Sequence, residues 1–533
     1  MKMSLTSAAL ALGTLALGCG GRPDVWSRPA SANAYGLSNA VVLHDVNAQR
    51  VVALTASGDG ALSASSFGTG TDVVATAVDS AGARLFLLSA GHRAMLGDTQ
   101  KNEAPALMVV DGSAAAATTR TIDLGGVLSD PLDGLALDPT GRWAVLYASG
   151  VHGGAFVTNP NELVVVDLTA ADGAPVSVSL HSFGGRPEKL VFAPELSLPG
   201  GKTHLLIVES EQDLSLLELD HPDRAEITVR LADAAAATTP QPAEIVVDDG
   251  DPARTDDARI GLRFVNDTSV MTLQLEPSSG ANGYTPTPNV TDVGGVPSAI
   301  AFVRTDGGLR LAALVPGHDS AVLVDPATTL TTTVALPADY RSISLVTPSD
   351  AASTTSSADT ALLWNGDAGQ AGVAFWELGQ AAGRPFRSLE TVAITERVTS
   401  VLDVAKTNTT SKVLSTGAAG VFYVLDLAQR TATPLLTAAT NVSLVVSPTG
   451  TRVWTFAPGQ SDLATTDIAT KHVRTLHLDA AVTGVFEIGN GGGGRTLVAL
   501  HALGGLGATT LDATNPDEDH RKIFGALLTE GTP

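Results

Sequence analysis

Short apolar runs alternate with polar, glycine-bearing turns along almost the whole chain, and the runs are of two kinds. Residues 73–79 mix apolar and small polar positions in the alternating fashion of a half-buried strand. The turn Ser80-Ala81-Gly82-Ala83-Arg84 follows, and then 85–88, continuously apolar, reads as a strand covered on both sides. The same succession returns as 134–138, Pro139-Thr140-Gly141-Arg142 and 143–147, and again as 442–447, Pro448-Thr449-Gly450-Thr451-Arg452 and 453–456. Glycine in these turns supplies the positive φ that a hairpin requires. Copies with longer or less regular turns are 190–208, 244–265, 299–314, 342–364, 399–416 and 482–500, which makes nine hairpins.

A third strand ending near an acidic residue and a Thr- or Val-rich fourth strand follow most hairpins. The pairs are 107–111 with 120–124, 163–167 with 176–180, 215–220 with 226–231, 321–325 with 331–336, 421–426 with 431–436, and 464–467 with 473–478. The acidic ends are Asp111, Asp167, Asp220, Asp325, Asp426 and Asp467, with Glu276 and Glu377 near the places where an aspartate is missing. Four strands in a unit of roughly 40–60 residues is the period of a β-propeller blade. A parallel βαβ array needs helices between its strands, and the only helical pattern after the first residues is a faint one near 521–528. The fold class is therefore all-β.

The unit resembles the YVTN-type β-propeller repeat, on Asp138-Pro139-Thr140-Gly141-Arg142 with Val165-Val166-Asp167-Leu168-Thr169, and on Ser447-Pro448-Thr449-Gly450 with Val424-Leu425-Asp426-Leu427. The resemblance implies a propeller of four-stranded blades, in one large ring of about 8–10 repeat units. Two fused propellers are the alternative, with the Ser/Thr-rich segment 348–358 as the nearest thing to a boundary. A further strand pair, 41–46 and 50–54, is placed to complete the last blade and remove an open edge.

The chain begins Met1-Lys2-Met3 and runs uncharged and apolar from Leu5 to Leu17. A basic start followed by about a dozen apolar residues is a secretory segment, too short for a mature membrane span. It ends in Leu15-Ala16-Leu17-Gly18-Cys19-Gly20, which resembles the lipobox of bacterial lipoproteins. The resemblance implies lipidation at Cys19, the chain's only cysteine, which therefore has no intrachain disulfide partner. Gly20 in place of aspartate after it implies sorting to the outer membrane. The expected organisation is a signal peptide at 1–18, a lipidated N-terminus and tether at 19–39, and the propeller at 40–530.

Composition narrows function mainly by exclusion. A net charge of −23 with no basic stripe argues against nucleic acid, whose phosphates need clustered Lys and Arg. Gly489-Asn490-Gly491-Gly492-Gly493-Gly494 satisfies G-x-G-x-x-G, but Arg495 onward reads as a strand, not the helix a dinucleotide site needs. The histidines form no ligand set; His472 and His477, the closest pair, have a spacing that puts them on opposite faces of a strand. There is no C-x-x-C-H and no G-x-S-x-G.

The best local site is the acidic loop from Asp248 to Asp257. Asp248, Asp249, Asp251, Asp256 and Asp257 could offer hard oxygen ligands to Ca²⁺, although not in EF-hand order. A second acidic group is Asp517-Glu518-Asp519-His520. Trp143, Trp364, Trp376 and Trp454 fall in strands and read as packing between blades, while His92, Arg93 and His152 come just after second strands, near one rim. The reading is a non-catalytic, lipid-anchored envelope protein that binds a protein or glycan partner. The rival is a lactonase-like propeller hydrolase whose catalytic residues come singly from different blades.

Overall fold

The computed structural model describes residues 32–92, 101–127, 132–150, 159–182, 185–231, 241–251, 253–346, 359–366, 372–379, 389–405, 408–416, 420–437, 442–502, 507–525 and 527–528. Among them the strands form ten four-stranded antiparallel sheets, each an up-and-down meander in chain order. We number these blades 1 to 10, over 32–68, 73–123, 134–179, 189–230, 242–292, 299–335, 342–392, 400–436, 443–477 and 482–524. The strands of each blade are A to D. First strands of successive blades touch one another, so A lies at the axis and D at the rim.

Burial explains the two kinds of run. In blade 2, strands B (Arg84–Ser89) and C (Ala106–Asp111) are buried on both faces, whereas A (Val73–Val78) is half-buried and D (Thr118–Asp123) largely exposed. The apolar clusters form mostly between neighbouring blades. One joins Leu205, Ile207 and Leu216 of blade 4 to Ile260, Leu262 and Leu273 of blade 5. A blade alone has no covered core; only stacking around a ring supplies one. Rim strands carry their own protection: strand D of blade 5 (Tyr284–Asp292) contains Pro286 and Pro288, which leave an outer edge unable to recruit another strand.

The two faces of the ring differ. The A–B and C–D turns share one face, here the tight-turn face. There Gly82 and Gly141 take φ of +63° and +74°, and the aspartate ending strand C folds its turn. Asp167 Oδ1 accepts from the Thr169 N–H at 2.8 Å and its hydroxyl at 2.6 Å; Asp111 does the same with Ser113. The B–C turns and the links between blades share the other face, the loop face, where connections such as that from Ser89 to Ala106 are long.

The expected hairpins are strand pairs, as in Leu190↔Val208 and Val445↔Trp454. Four expectations change. Among the described residues the first strand of the ring is Ala32–Gly36, which lies inside the 19–39 stretch read as tether and pairs with Ala40–Asp45. The pair at 41–46 and 50–54 does not complete the last blade; it supplies strands B and C of blade 1. The faint helical pattern at 521–528 is interrupted by strand D of blade 10 (Lys522–Phe524), held by Thr509↔Ile523. Two fused rings are not formed, since blade 10 packs on blade 1. Segment 348–358 lies outside the described residues, between strands A and B of blade 7.

Among the described residues no strand is exchanged at that seam. Val41, Leu43 and Leu54 of blade 1 pack against Ile488, Val498 and Leu500 of blade 10. The Gly489 N–H donates to Ser38 O at 2.8 Å, and the Gly491 N–H to Ala56 O at 3.1 Å. Lys522 reaches Asp59 at 2.6 Å. A Cβ on Gly489 would lie 2.0 Å from Asn39 Oδ1, so this part of the glycine run makes the close approach that shuts the ring. Among the described residues no helix is long and apolar enough to cross a membrane.

Candidate functional site

The acidic loop joins strands A (Pro242–Asp248) and B (Arg259–Phe264) of blade 5 on the tight-turn face. Its five carboxylates turn to different partners. Asp248 accepts from the Gly250 N–H at 2.7 Å and meets Arg304 of blade 6 at 3.4 Å. Asp249 accepts from the Ser197 N–H of blade 4 at 2.5 Å. Asp251 accepts from the Ala253 N–H, and Asp257 from the Asp251 N–H, both at 3.0 Å. Asp256 takes both branches of Arg254, at 3.0 and 3.1 Å. The loop ties blade 5 to blades 4 and 6. Among the described residues no group of three or more His, Cys, Asp or Glu could hold a metal ion. A cleft of about 300 Å³ opens beside the loop, with Arg259, Arg310, Gln274 and Asp325 in its wall.

The other candidates also resolve into local roles. Asp517 caps a single 3-10 turn, Glu518–His520, accepting from the Asp519 N–H at 3.0 Å, and pairs with His520 at 2.9 Å. His472 precedes a rim strand and His477 ends it, both exposed; His477 meets Asp462 at 2.7 Å. Trp143, Trp376 and Trp454 are buried and Trp364 is partly buried, in keeping with packing. His92 exchanges backbone hydrogen bonds with Glu103 at the loop face. Cys19, Arg93 and His152 lie outside the described residues.

The arginine of the repeated turn has a role that its spacing did not announce. Arg84 holds Asp79 at 2.9 Å and donates onward to Gly141 O of blade 3 at 2.6 Å. Arg142 reaches Asp220 of blade 4 at 2.7 Å, with its guanidinium 4.6 Å from the Trp143 ring centre. Arg452 donates to Thr514 O of blade 10 at 2.6 Å. Arg430 of blade 8 pairs with Glu377 and Glu390 of blade 7. These arginines staple successive blades on one face.

Two buried glutamates escaped sequence reasoning. Glu487, in strand A of blade 10, accepts from the Ser447 hydroxyl at 2.8 Å, Trp454 Nε1 at 2.9 Å and Arg495 Nε at 2.6 Å. Glu209 ends strand B of blade 4 at the loop face, opposite Lys189. It is 3% exposed and its Oε2 has no hydrogen-bond partner. Burial pushes its carboxyl up to about 7, with Lys189 pulling the other way and Glu188 adding to the rise. Beside it the buried Ser182 and Ser210 hydroxyls meet at 2.7 Å, and Ser182 reaches Asp213 at 3.4 Å. The arrangement can hold or release a proton near neutrality.

The fold and its staples thus define a ten-bladed β-propeller. No family model matches the chain, and no curated protein sequence does. Solved structures similar to it include a eukaryotic initiation factor at 10% identity and TM-score 0.43, over 92% of this chain and 96% of that one. Another is Porphyromonas gingivalis dipeptidyl peptidase 4, at 11% and 0.41, over 90% and 67%. A third is the dihydro-heme d1 dehydrogenase NirN, at 11% and 0.36, over 98% and 84%. Likeness of this degree concerns the ring and carries nothing about activity.

Proposed function

We propose that this protein is an extracytoplasmic lipoprotein, anchored through Cys19, whose propeller is a rigid, non-catalytic platform for a protein or glycan partner. One observation carries the platform reading. On the tight-turn face, Arg84, Arg142, Arg304, Arg430 and Arg452 each tie one blade to the next, so the polar groups there serve stiffness. The anchor reading rests on the apolar run from Leu5 to Leu17 and the lipobox-like end at Cys19. The test is fractionation of cells making the wild type and Cys19→Ser. The wild type belongs in the membrane fraction, and the variant should be released or left unprocessed. A Cys19→Ser chain that stays membrane-bound and mature in size overturns the anchor.

A second reading, a propeller hydrolase, is favoured by Glu209, whose buried carboxyl titrates in the range useful to a general acid or base. Hydrolysis of simple lactones and esters by purified protein, abolished in Glu209→Gln, would establish it. Equal rates in the two would remove Glu209 from that role.

A further inference from the structure

The position of Ala32 in the ring bears on how an anchored propeller would stand on its membrane. Ala32 opens the innermost strand of blade 1 and pairs with Asp45, whose chain leads directly into the B–C turn. The Thr69 N–H, in the link to blade 2, donates to Gln49 O of that turn at 2.9 Å, so Ala32 enters on the loop face. The opposite end of the strand leads to Ser38, which bonds to the tight turns of blades 2 and 10. The described chain therefore starts at the axis, at the mouth of the channel on the loop face.

Thirteen residue steps separate Cys19 from Ala32, a reach of at most about 45 Å fully extended. Each blade is four strands deep, which is roughly 15 Å of radius beyond the channel wall, and its strands make the ring roughly 20 Å thick. To lay the tight-turn face on the membrane, the chain before Ala32 would have to run about 20 Å down the channel, or about 15 Å across the blade and then about 20 Å down the rim. Either route takes a large part of that reach and restricts the conformations open to it. With the loop face towards the membrane it needs no detour. A chain of net charge −23 also gains nothing from pressing itself onto anionic headgroups.

We infer that the anchored ring presents its loop face to the membrane and its stapled tight-turn face outward. The inference rests on the Cys19 anchor proposed above.

The chain has no cysteine besides Cys19, so a single added thiol in the lipidated protein can be labelled without competition. Gln212→Cys places a dye in the B–C turn of blade 4, and Asp223→Cys places one in the C–D turn of the same blade; both positions are exposed. Each lipidated protein, purified from membranes, is incorporated into zwitterionic vesicles carrying a headgroup acceptor dye, and energy transfer is measured. Transfer from Gln212→Cys should exceed that from Asp223→Cys at least twofold. Equal transfer would overturn the inference, and so would higher transfer from Asp223→Cys, which would mean that the tight-turn face meets the membrane. Mass measurement on the same samples separates the two proposals. An unmodified Cys19 defeats the anchor and the orientation together, whereas a lipidated chain with the wrong transfer ratio defeats the orientation alone.

Discussion

At the tight-turn face Glu487 is 7% exposed, and its two oxygens take hydrogen bonds from Ser447, Trp454 and Arg495. At the loop face Glu209 is 3% exposed, and its Oε2 takes none. Each has a cation on the neighbouring strand: Arg495, two positions along from Glu487's partner Leu497, bonds Glu487 directly, while Lys189, directly opposite Glu209, instead donates to Ala243 O at 3.5 Å. Burial alone therefore does not decide what a carboxylate does. A saturated one becomes part of the frame, and an unsaturated one becomes a titrating group. The two sites divide in the same sense, one carboxylate held in a charged network and the other left partly uncompensated.

The largest effect expected from this contrast is at Glu487. Glu487→Ala strands the Trp454 indole N–H, the Ser447 hydroxyl and the Arg495 guanidinium at a blade junction. Breaking a buried pair in this way costs about 3–5 kcal/mol. The check is the shift in denaturation midpoint, with Glu487→Gln falling in between because it keeps one acceptor. A loss under about 1 kcal/mol in Glu487→Ala would dissolve the contrast between the two sites.

Glu209 should behave with the opposite sign. Its folded pKa, about 7, lies above the ordinary 4.5, so between those values the folded state binds the proton more tightly than the unfolded chain. The carboxyl thus lowers stability as pH rises from about 4.5 to 7, by about 3 kcal/mol in total, and the deficit stays above that window. Glu209→Gln should match the wild type near pH 4 and exceed it by about 2–3 kcal/mol at pH 8. Unfolding free energies of both proteins across this range would decide it; a pH-independent difference would show that Glu209 does not titrate in the folded state as argued.

The seam gives a third comparison, between a closure made by glycine and junctions made by arginine. Gly489→Val must push Asn39 aside, since even a Cβ would sit 2.0 Å from its Oδ1. Such overpacking costs about 1–3 kcal/mol. Hydrogen exchange in blades 1 and 10 should rise more than in blades 4 to 6. Uniform exchange around the ring would mean that the seam is no weaker than any other junction.

What the sequence made legible follows the same division. Turn aspartates, turn glycines and continuous apolar strands act within a few residues of themselves, so Asp167-Leu168-Thr169 and Pro139-Thr140-Gly141 announce their geometry locally. Groups whose partners are a blade away leave no such mark. The hairpin read at 190–208 stops one residue short at each end, and the two residues omitted are Lys189 and Glu209. Glu487 looks like one more polar residue until Ser447, 40 positions away, comes into contact. The acidic loop shows the same limit: its five carboxylates are close in sequence, and a turn between stacked blades gives them partners on both sides that the sequence does not name. The opening strand was missed because Ala32–Gly36 is short and only half-buried.

The smallest effect belongs to one staple taken alone. Arg142 and Asp220 are 38% and 19% exposed at the side chain, so water screens their pair, and a coupling of about 0.5–1 kcal/mol is expected from a double-mutant cycle of Arg142→Met and Asp220→Asn. Most of it should vanish in 1 M salt, where the screening length falls to about 3 Å. Arg142→Lys separates charge from shape, because lysine keeps the attraction to Asp220 but gives up the flat stack on the Trp143 ring. If Arg142→Lys equals wild type in low salt, the staple is Coulombic; if it falls as far as Arg142→Met, the stack holds the junction. A coupling of zero in low salt would show that blades 3 and 4 are joined by their apolar faces alone, Val145 and Leu163 against Leu206 and Leu217, and that the arginine merely covers them.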